Sequence, residues 1–129
     1  MALIVLDASV IIALLDPGDA LHRASRREFE RVAAEDVAIP ASALAETLVG
    51  PARVGKLEEA WTRIQSLDLR VAPAEESVAL EAARLRGRHR ELRLPDALVI
   101  ATGEVLGAAS ILTGDRRWKP FSRRVTVIA

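Results

Sequence analysis

Residues 2–6, ALIVL, form an unbroken apolar run of strand length, the pattern of a strand covered on both faces in a parallel sheet. VAIP at 37–40, LRVA at 69–72, SILT at 110–113 and VTVI at 125–128 supply four more strand candidates. The segments between them carry helical periodicity. ASVIIALL reads as a short buried helix stopped by Asp16-Pro17-Gly18-Asp19, and 19–34 as an amphipathic helix with Leu21, Ala24, Phe29 and Val32 facing inward. A helix over 41–49, with Ser42 near its start, is expected to close at Gly50-Pro51. Helices over 54–67, from Glu75 to about Arg90, and from Pro95 onward complete the set. Strands that alternate with helices predict an α/β fold, a central mainly parallel five-stranded sheet flanked by helices. At 129 residues the chain is expected to be one domain, 1–129.

Four acidic residues each stand as the only charge in an apolar stretch: Asp7 in ALIVLDASVIIALL, Glu46 in VAIPASALAETLVGPA, Asp96 in LPDALVIATG, and Asp115 after AASILTG. A carboxylate among apolar neighbours loses hydration and must be paired, hydrogen-bonded, neutralised or bound to a cation. Gathered by a fold, carboxylates make an oxygen-rich site suited to Mg²⁺ or Mn²⁺. Asp7 and Asp115 directly follow strands, and open parallel sheets bind ligands beyond the carboxyl ends of their strands. Taken singly, three of the acids also have structural roles open to them. Asp7 can cap the helix that follows, Asp96 can favour its helix dipole, and Asp115 suits the turn T-G-D. Glu46 has the weakest such account, because its neighbours at helical spacing are Ser42, Ala43, Val49 and Gly50, none of which can pair with it. Together the four point to a metal-dependent hydrolase.

The absence of cysteine excludes a disulfide framework, a thiolate zinc site and a cysteine nucleophile. His22 and His89 are not at zinc spacing, and no phosphate-binding glycine loop, nucleophile elbow or dinucleotide fingerprint occurs. No uncharged window approaches the roughly 20 residues of a membrane helix, so a cytoplasmic protein without a membrane partner is expected. The net charge of zero conceals an asymmetry. Residues 1–83 hold 8 basic and 14 acidic side chains, residues 84–129 hold 10 and 4, and the C-terminal part is the side suited to a polyanion. Arg84, Arg86, Arg88, Arg90 and Arg93 precede Asp96, while Arg116, Arg117, Lys119, Arg123 and Arg124 follow Asp115. Both clusters adjoin site acids and offer a track for a phosphate backbone, although each residue is also at home on a solvated surface. Aromatic residues are scarce and only Trp118 lies near, so phosphate contacts rather than base stacking should dominate.

The runs V-L-D-A-S-V-I-I-A-L-L, A-E-T-L-V-G-P, L-P-D-A-L-V-I-A-T-G and I-L-T-G-D, in that order within residues 3–115, resemble the PIN-domain pattern, particularly VapC-type toxins of toxin–antitoxin pairs. The resemblance implies a metal-dependent ribonuclease with an RNA substrate, a homodimer, and inhibition by a small VapB-like antitoxin. Carried over residue by residue, it implies that Asp7, Glu46, Asp96 and Asp115 hold Mg²⁺ or Mn²⁺ and carry catalysis, with Ser9 and Thr113 as supporting hydroxyls. One position departs. Many relatives place a further acid two residues beyond the last Asp, where this chain has Arg117, so a one-metal or RNA-completed site stands beside a two-metal one.

Two other readings use the same acids. A receiver-like Mg²⁺-binding signalling domain shares the α/β class and a Lys-Pro pair, here Lys119-Pro120, but needs paired acids where Asp7 is alone and an Asp where Pro73 and Ala74 follow LRVA. A haloacid-dehalogenase-like phosphatase needs a second Asp where Ser9 stands, which removes its general acid. A PIN scaffold that binds a partner with little catalysis would keep the fold while making less use of the acids.

Overall fold

The apolar runs form strands β1 (Leu3–Leu6), β2 (Asp36–Pro40), β3 (Arg70–Ala72), β4 (Ser110–Thr113) and β5 (Val125–Val127) in the computed structural model, which describes residues 1–129. They make one five-stranded sheet, parallel throughout, in the order β3-β2-β1-β4-β5. The register sets Val5 against Ala38 on one side and Ile111 on the other. Val5, Leu6, Ile39, Ile111 and Leu112 are fully buried, each large aliphatic contributing about 1.5–3 kcal/mol relative to exposure. The central strands β2, β1 and β4 thus have almost no solvent face, whereas the edge strands β3 and β5 are largely open. At the β3 edge, Arg70 pairs with Asp36 at 3.1 Å, and a charged edge discourages pairing with another chain.

Helices occupy the crossovers. The chain passes from β1 to β2 through α1 (Ala8–Leu15) and α2 (His22–Arg31), and from β2 to β3 through α3 (Ala41–Arg53) and α4 (Leu57–Gln65). It then returns through α5 (Glu76–Arg88) and α6 (Leu94–Leu106) to β4, and a 3-10 helix at Arg116–Phe121 leads into β5. Helix α2 starts later than the 19–34 of its periodicity because the turn before it extends further, and it ends at Arg31. The Asp19 carboxylate accepts from the Leu21 N–H at 2.8 Å and holds the chain out of helix until His22.

Helix α3 does not stop at Gly50-Pro51. It continues to Arg53, with Pro51 inside its last turn. The true stop is Gly55, whose φ of 71° is left-handed and suits glycine. There the Lys56 N–H donates to the Pro51 carbonyl at 2.8 Å and the Gly55 N–H to that of Ala52 at 3.3 Å, the paired bonds of a Schellman C-terminus. Ser42, expected near the start of α3, gives it no cap; Pro40 occupies that position without a side-chain bond.

The strand order also decides against the receiver reading, because receiver-type sheets run 2-1-3-4-5. Here the chain winds from β1 outward to β3, then crosses back to lay β4 along the opposite edge of β1. The direction of winding reverses between β1 and β4, and in open parallel sheets the ligand crevice lies at such a reversal, beyond the strand carboxyl ends.

Candidate metal centre

Asp7 and Thr113 stand at that reversal. The Asp7 N–H donates to the Leu112 carbonyl at 2.9 Å, which ties the end of β1 to the end of β4. Asp7 occupies the capping position of α1, yet its carboxylate makes no cap bond. Its Oδ2 instead accepts from the Ser9 hydroxyl at 2.8 Å and from the Thr113 hydroxyl at 3.0 Å. Each hydroxyl in turn accepts a backbone N–H, Ser9 from Gly114 at 3.0 Å and Thr113 from Asp115 at 3.1 Å. Those bonds set the direction of the network, since a hydroxyl whose lone pair is taken turns its proton to the carboxylate. Both hydroxyl bonds fall on Oδ2, so neither occupies Oδ1. A β-carbon at Gly114 would overlap the tip of the Leu21 side chain, which would have to shift.

The other acids arrive from three elements. Glu46 lies on the exposed side of α3, Asp96 in the first turn of α6, and Asp115 just past β4. Their electrostatics show that the fold brings them together. Burial pushes the Asp7 carboxyl above the ordinary range against the hydroxyl bonds, and the charge of Asp96 adds to the rise. Partial desolvation, then the charges of Asp7 and Asp96, raises Glu46; its exposure leaves those charges partly screened by water. Desolvation raises Asp96 as well, opposed by Arg93, while Asp115 adds a like charge. Asp115 alone is lowered, chiefly by its hydrogen bonds from Arg117. No ion pair involves Glu46, in keeping with its sequence neighbours.

The donor set suits a hard divalent cation: four carboxylates from separate elements, one of them oriented by two hydroxyls, with no sulfur or imidazole among them. As the side chains stand, no three of them close tightly enough to hold an ion. Two of the four are instead engaged by arginines. Arg117 Nη2 lies 2.7 Å from Asp115 Oδ2, and Arg93 Nε lies 3.6 Å from Asp96 Oδ2. These four residues also line a cavity of about 150 Å³ backed by Leu92 and Trp118.

Besides Arg93 and Arg117, most of the basic residues expected to track phosphate fall into two groups. Arg84 pairs with Glu81 at 3.5 Å, the Arg86 Nε donates to the Leu92 carbonyl at 2.7 Å, and Arg124 binds Glu104 and the Ala108 carbonyl. Arg88, Arg90, Arg116 and Lys119 are exposed and enter none of the ion pairs. The histidines play packing parts: the His22 ring bonds the Ala13 carbonyl at 2.7 Å, and His89 meets Phe121 edge-on with centroids 4.9 Å apart. What the sequence did not disclose is that Arg93 and Arg117 partner site acids. The only signals for it were the helical spacing from Arg93 to Asp96 and the run D-R-R.

The family model described as the PIN domain matches residues 4–124. Among solved structures, VapBC2 from Rickettsia felis bound to a promoter DNA fragment superposes with a TM-score of 0.82 at 14% identity, covering 98% of this chain and 99% of that one. The sarcin–ricin loop cleaving toxin VapC20 from Mycobacterium tuberculosis gives 0.72 at 24% identity, covering 91% and 93%. FitAcB from Neisseria gonorrhoeae gives 0.72 at 25% identity, covering 87% of each chain. No curated protein sequence matches the chain.

Proposed function

Because the chain belongs to the PIN-domain family, we propose that it is a divalent-metal-dependent endoribonuclease of the VapC toxin kind, a homodimer neutralised by a small VapB-like antitoxin. The observation that carries this reading is the Asp7 carboxylate, buried where the sheet reverses, held by two hydroxyls and coupled to the charges of Asp96 and Glu46, with Asp115 acting on Asp96. A carboxylate kept ionised in such a place is at a cost unless a cation shares it. The likeness to VapBC2 and to a toxin that cleaves the sarcin–ricin loop supports RNA as substrate and an antitoxin as partner. No helix is long and apolar enough to cross a membrane, and the cytoplasm is the proposed compartment.

Asp7, Glu46, Asp96 and Asp115 would provide the site for Mg²⁺ or Mn²⁺. When bound, the ion lowers the pKa of a coordinated water and offsets charge on the scissile phosphate. Ser9 and Thr113 favour the ionised form of Asp7 against its burial and fix the direction of its carboxylate. Glu46, raised in pKa and open to solvent, would accept the proton of the attacking water. Arg93 and Arg117, paired with site acids, and the exposed Arg116 and Lys119 close to them in sequence would offer donors to the flanking phosphates.

Purified protein incubated with total RNA and with structured tRNA should cleave in Mg²⁺ or Mn²⁺ and stop in EDTA. Cleavage that continues unchanged in EDTA would refute the metal assignment. Neutralising Arg88, Arg90, Arg116 and Lys119 together should weaken RNA binding across all sequences and flatten its logarithmic salt dependence by roughly 0.7 per lost contact. An unaltered slope would make the four residues surface charge only.

A further inference from the structure

We propose that Arg117 is a built-in cation of the acidic site: it neutralises Asp115, so the chain takes up one divalent ion on Asp7, Glu46 and Asp96, and it meets the substrate phosphate where a second ion would otherwise act. The inference rests on the metal-nuclease reading and narrows it, with Asp115 contributing through Arg117 rather than as a primary ligand.

The geometry separates the two ion pairs of the site. Both oxygens of Asp115 are engaged by Arg117: Oδ1 accepts from the backbone N–H at 2.9 Å and from Nε at 3.0 Å, and Oδ2 accepts from Nη2 at 2.7 Å and from Nε at 3.3 Å. This is the planar fork that makes arginine–carboxylate pairs directional, reinforced by a main-chain bond to the same group. A metal ligating Asp115 would have to break several of these contacts together. Asp96 is held by a single approach at 3.6 Å, beyond hydrogen-bond length, from an Arg93 side chain that is 72% exposed. Asp96 therefore turns to an ion by giving up one long contact, whereas Asp115 would have to give up four shorter ones shared between both of its oxygens.

Charge points the same way. The acids carry four formal negative charges, the guanidiniums of Arg93 and Arg117 offset two, and one divalent ion offsets the remainder. Arg117 is also placed to reach substrate. Its side chain is 83% exposed, its Nη1 makes no bond within the site, and it lines the same cavity as Asp96. One guanidinium can thus clamp a carboxylate and still present donors to a phosphate oxygen.

Calorimetric titration of Mn²⁺ into the metal-free protein tests this, with thermal melts to confirm that each variant is folded. Wild type should take up one ion per chain. Asp115→Asn should still take up one, its affinity within about fivefold of wild type, as an exposed pair's small contribution implies. Asp96→Asn should bind the ion more weakly by at least the roughly 10–100-fold that a supporting residue's loss costs. Arg117→Ala should gain a second ion, and its RNA cleavage should become second order in Mn²⁺. Two ions on the wild type, loss of the single ion in Asp115→Asn, or an unchanged single ion in Arg117→Ala would each overturn the role of Arg117 and leave the nuclease reading standing. A wild type that takes up no Mn²⁺ would defeat both.

Discussion

Asp7→Asn is expected to raise the melting temperature of the metal-free protein while abolishing cleavage. Both hydroxyl bonds to Asp7 fall on one oxygen, so the Asn carbonyl can accept both and the packing is preserved. What changes is the buried charge. Burial holds the folded Asp7 carboxyl above its unfolded value, so its contribution to stability is complete while the group is protonated and is lost as pH rises through the folded value. Glu46 and Asp96 are shifted in the same direction; Asp115 is shifted oppositely, and its contribution is lost as pH falls. Metal-free wild type should therefore lose stability as pH climbs from the unfolded carboxylate range, about 4, toward neutrality, and Asp7→Asn should flatten that slope. At neutral pH the variant should gain on the order of 1 kcal/mol, roughly 4 °C for a chain of this size. Mn²⁺ at a hundredfold excess over its dissociation constant should stabilise wild type by about 2.7 kcal/mol and the variant far less. Cleavage should fall more than about a hundredfold, beyond what loss of a supporting residue costs. Melts of both proteins with EDTA and with Mn²⁺ decide it: a destabilised variant that still responds to metal would defeat the site.

Thr113→Val tests the hydroxyl network at nearly constant volume. Thr113 is fully buried, and its hydroxyl both donates to Asp7 and accepts the Asp115 N–H. Valine leaves that N–H without its partner, at about 1–3 kcal/mol if water cannot replace it. It also removes a bond that favours ionised Asp7, so the carboxyl should rise further. Mn²⁺ affinity should fall by about 10–100-fold, and the acid limb of the cleavage profile should move to higher pH. Thr113→Ser, which keeps the hydroxyl, should restore both. A valine variant with wild-type affinity and an unmoved profile would reduce Thr113 to a packing residue.

The strands were legible in the sequence because the central ones are buried on both faces, and a short unbroken apolar run between turn residues suits little else. The sheet order was not, since it depends on which edge of β1 receives β4, and no local pattern encodes that choice. Gly50-Pro51 misled because α3 continues past Pro51 despite the helical bond that proline cannot donate; the decisive glycine was Gly55, whose need for positive φ is a property of the finished turn. Among site residues, the isolation of Asp7, Glu46, Asp96 and Asp115 in apolar stretches was visible, and their influence on one another's ionisation reflects how the fold gathers them. The orientation of Arg117 was not visible. An arginine two residues beyond an aspartate can point to solvent, substrate or back onto the acid, and only the 3-10 turn at 116–121 selects the last.

The bond between Asp7 and Thr113 spans 106 residues of chain, a separation that matters during biosynthesis. A chain emerging at about 5–20 residues per second can pair β1 with β2 early, but the opposite edge of β1 waits until β4 has been made. Contacts this distant in sequence are slow to form and leave little partial structure around the acids beforehand. Until residues 110–113 dock, Asp7 has neither its buried hydroxyl partner nor Asp115 beside it. A polypeptide interrupted before that point should be inert toward RNA, so a cell translating this protein would be spared a cutting site on the nascent chain while it is still attached to the ribosome.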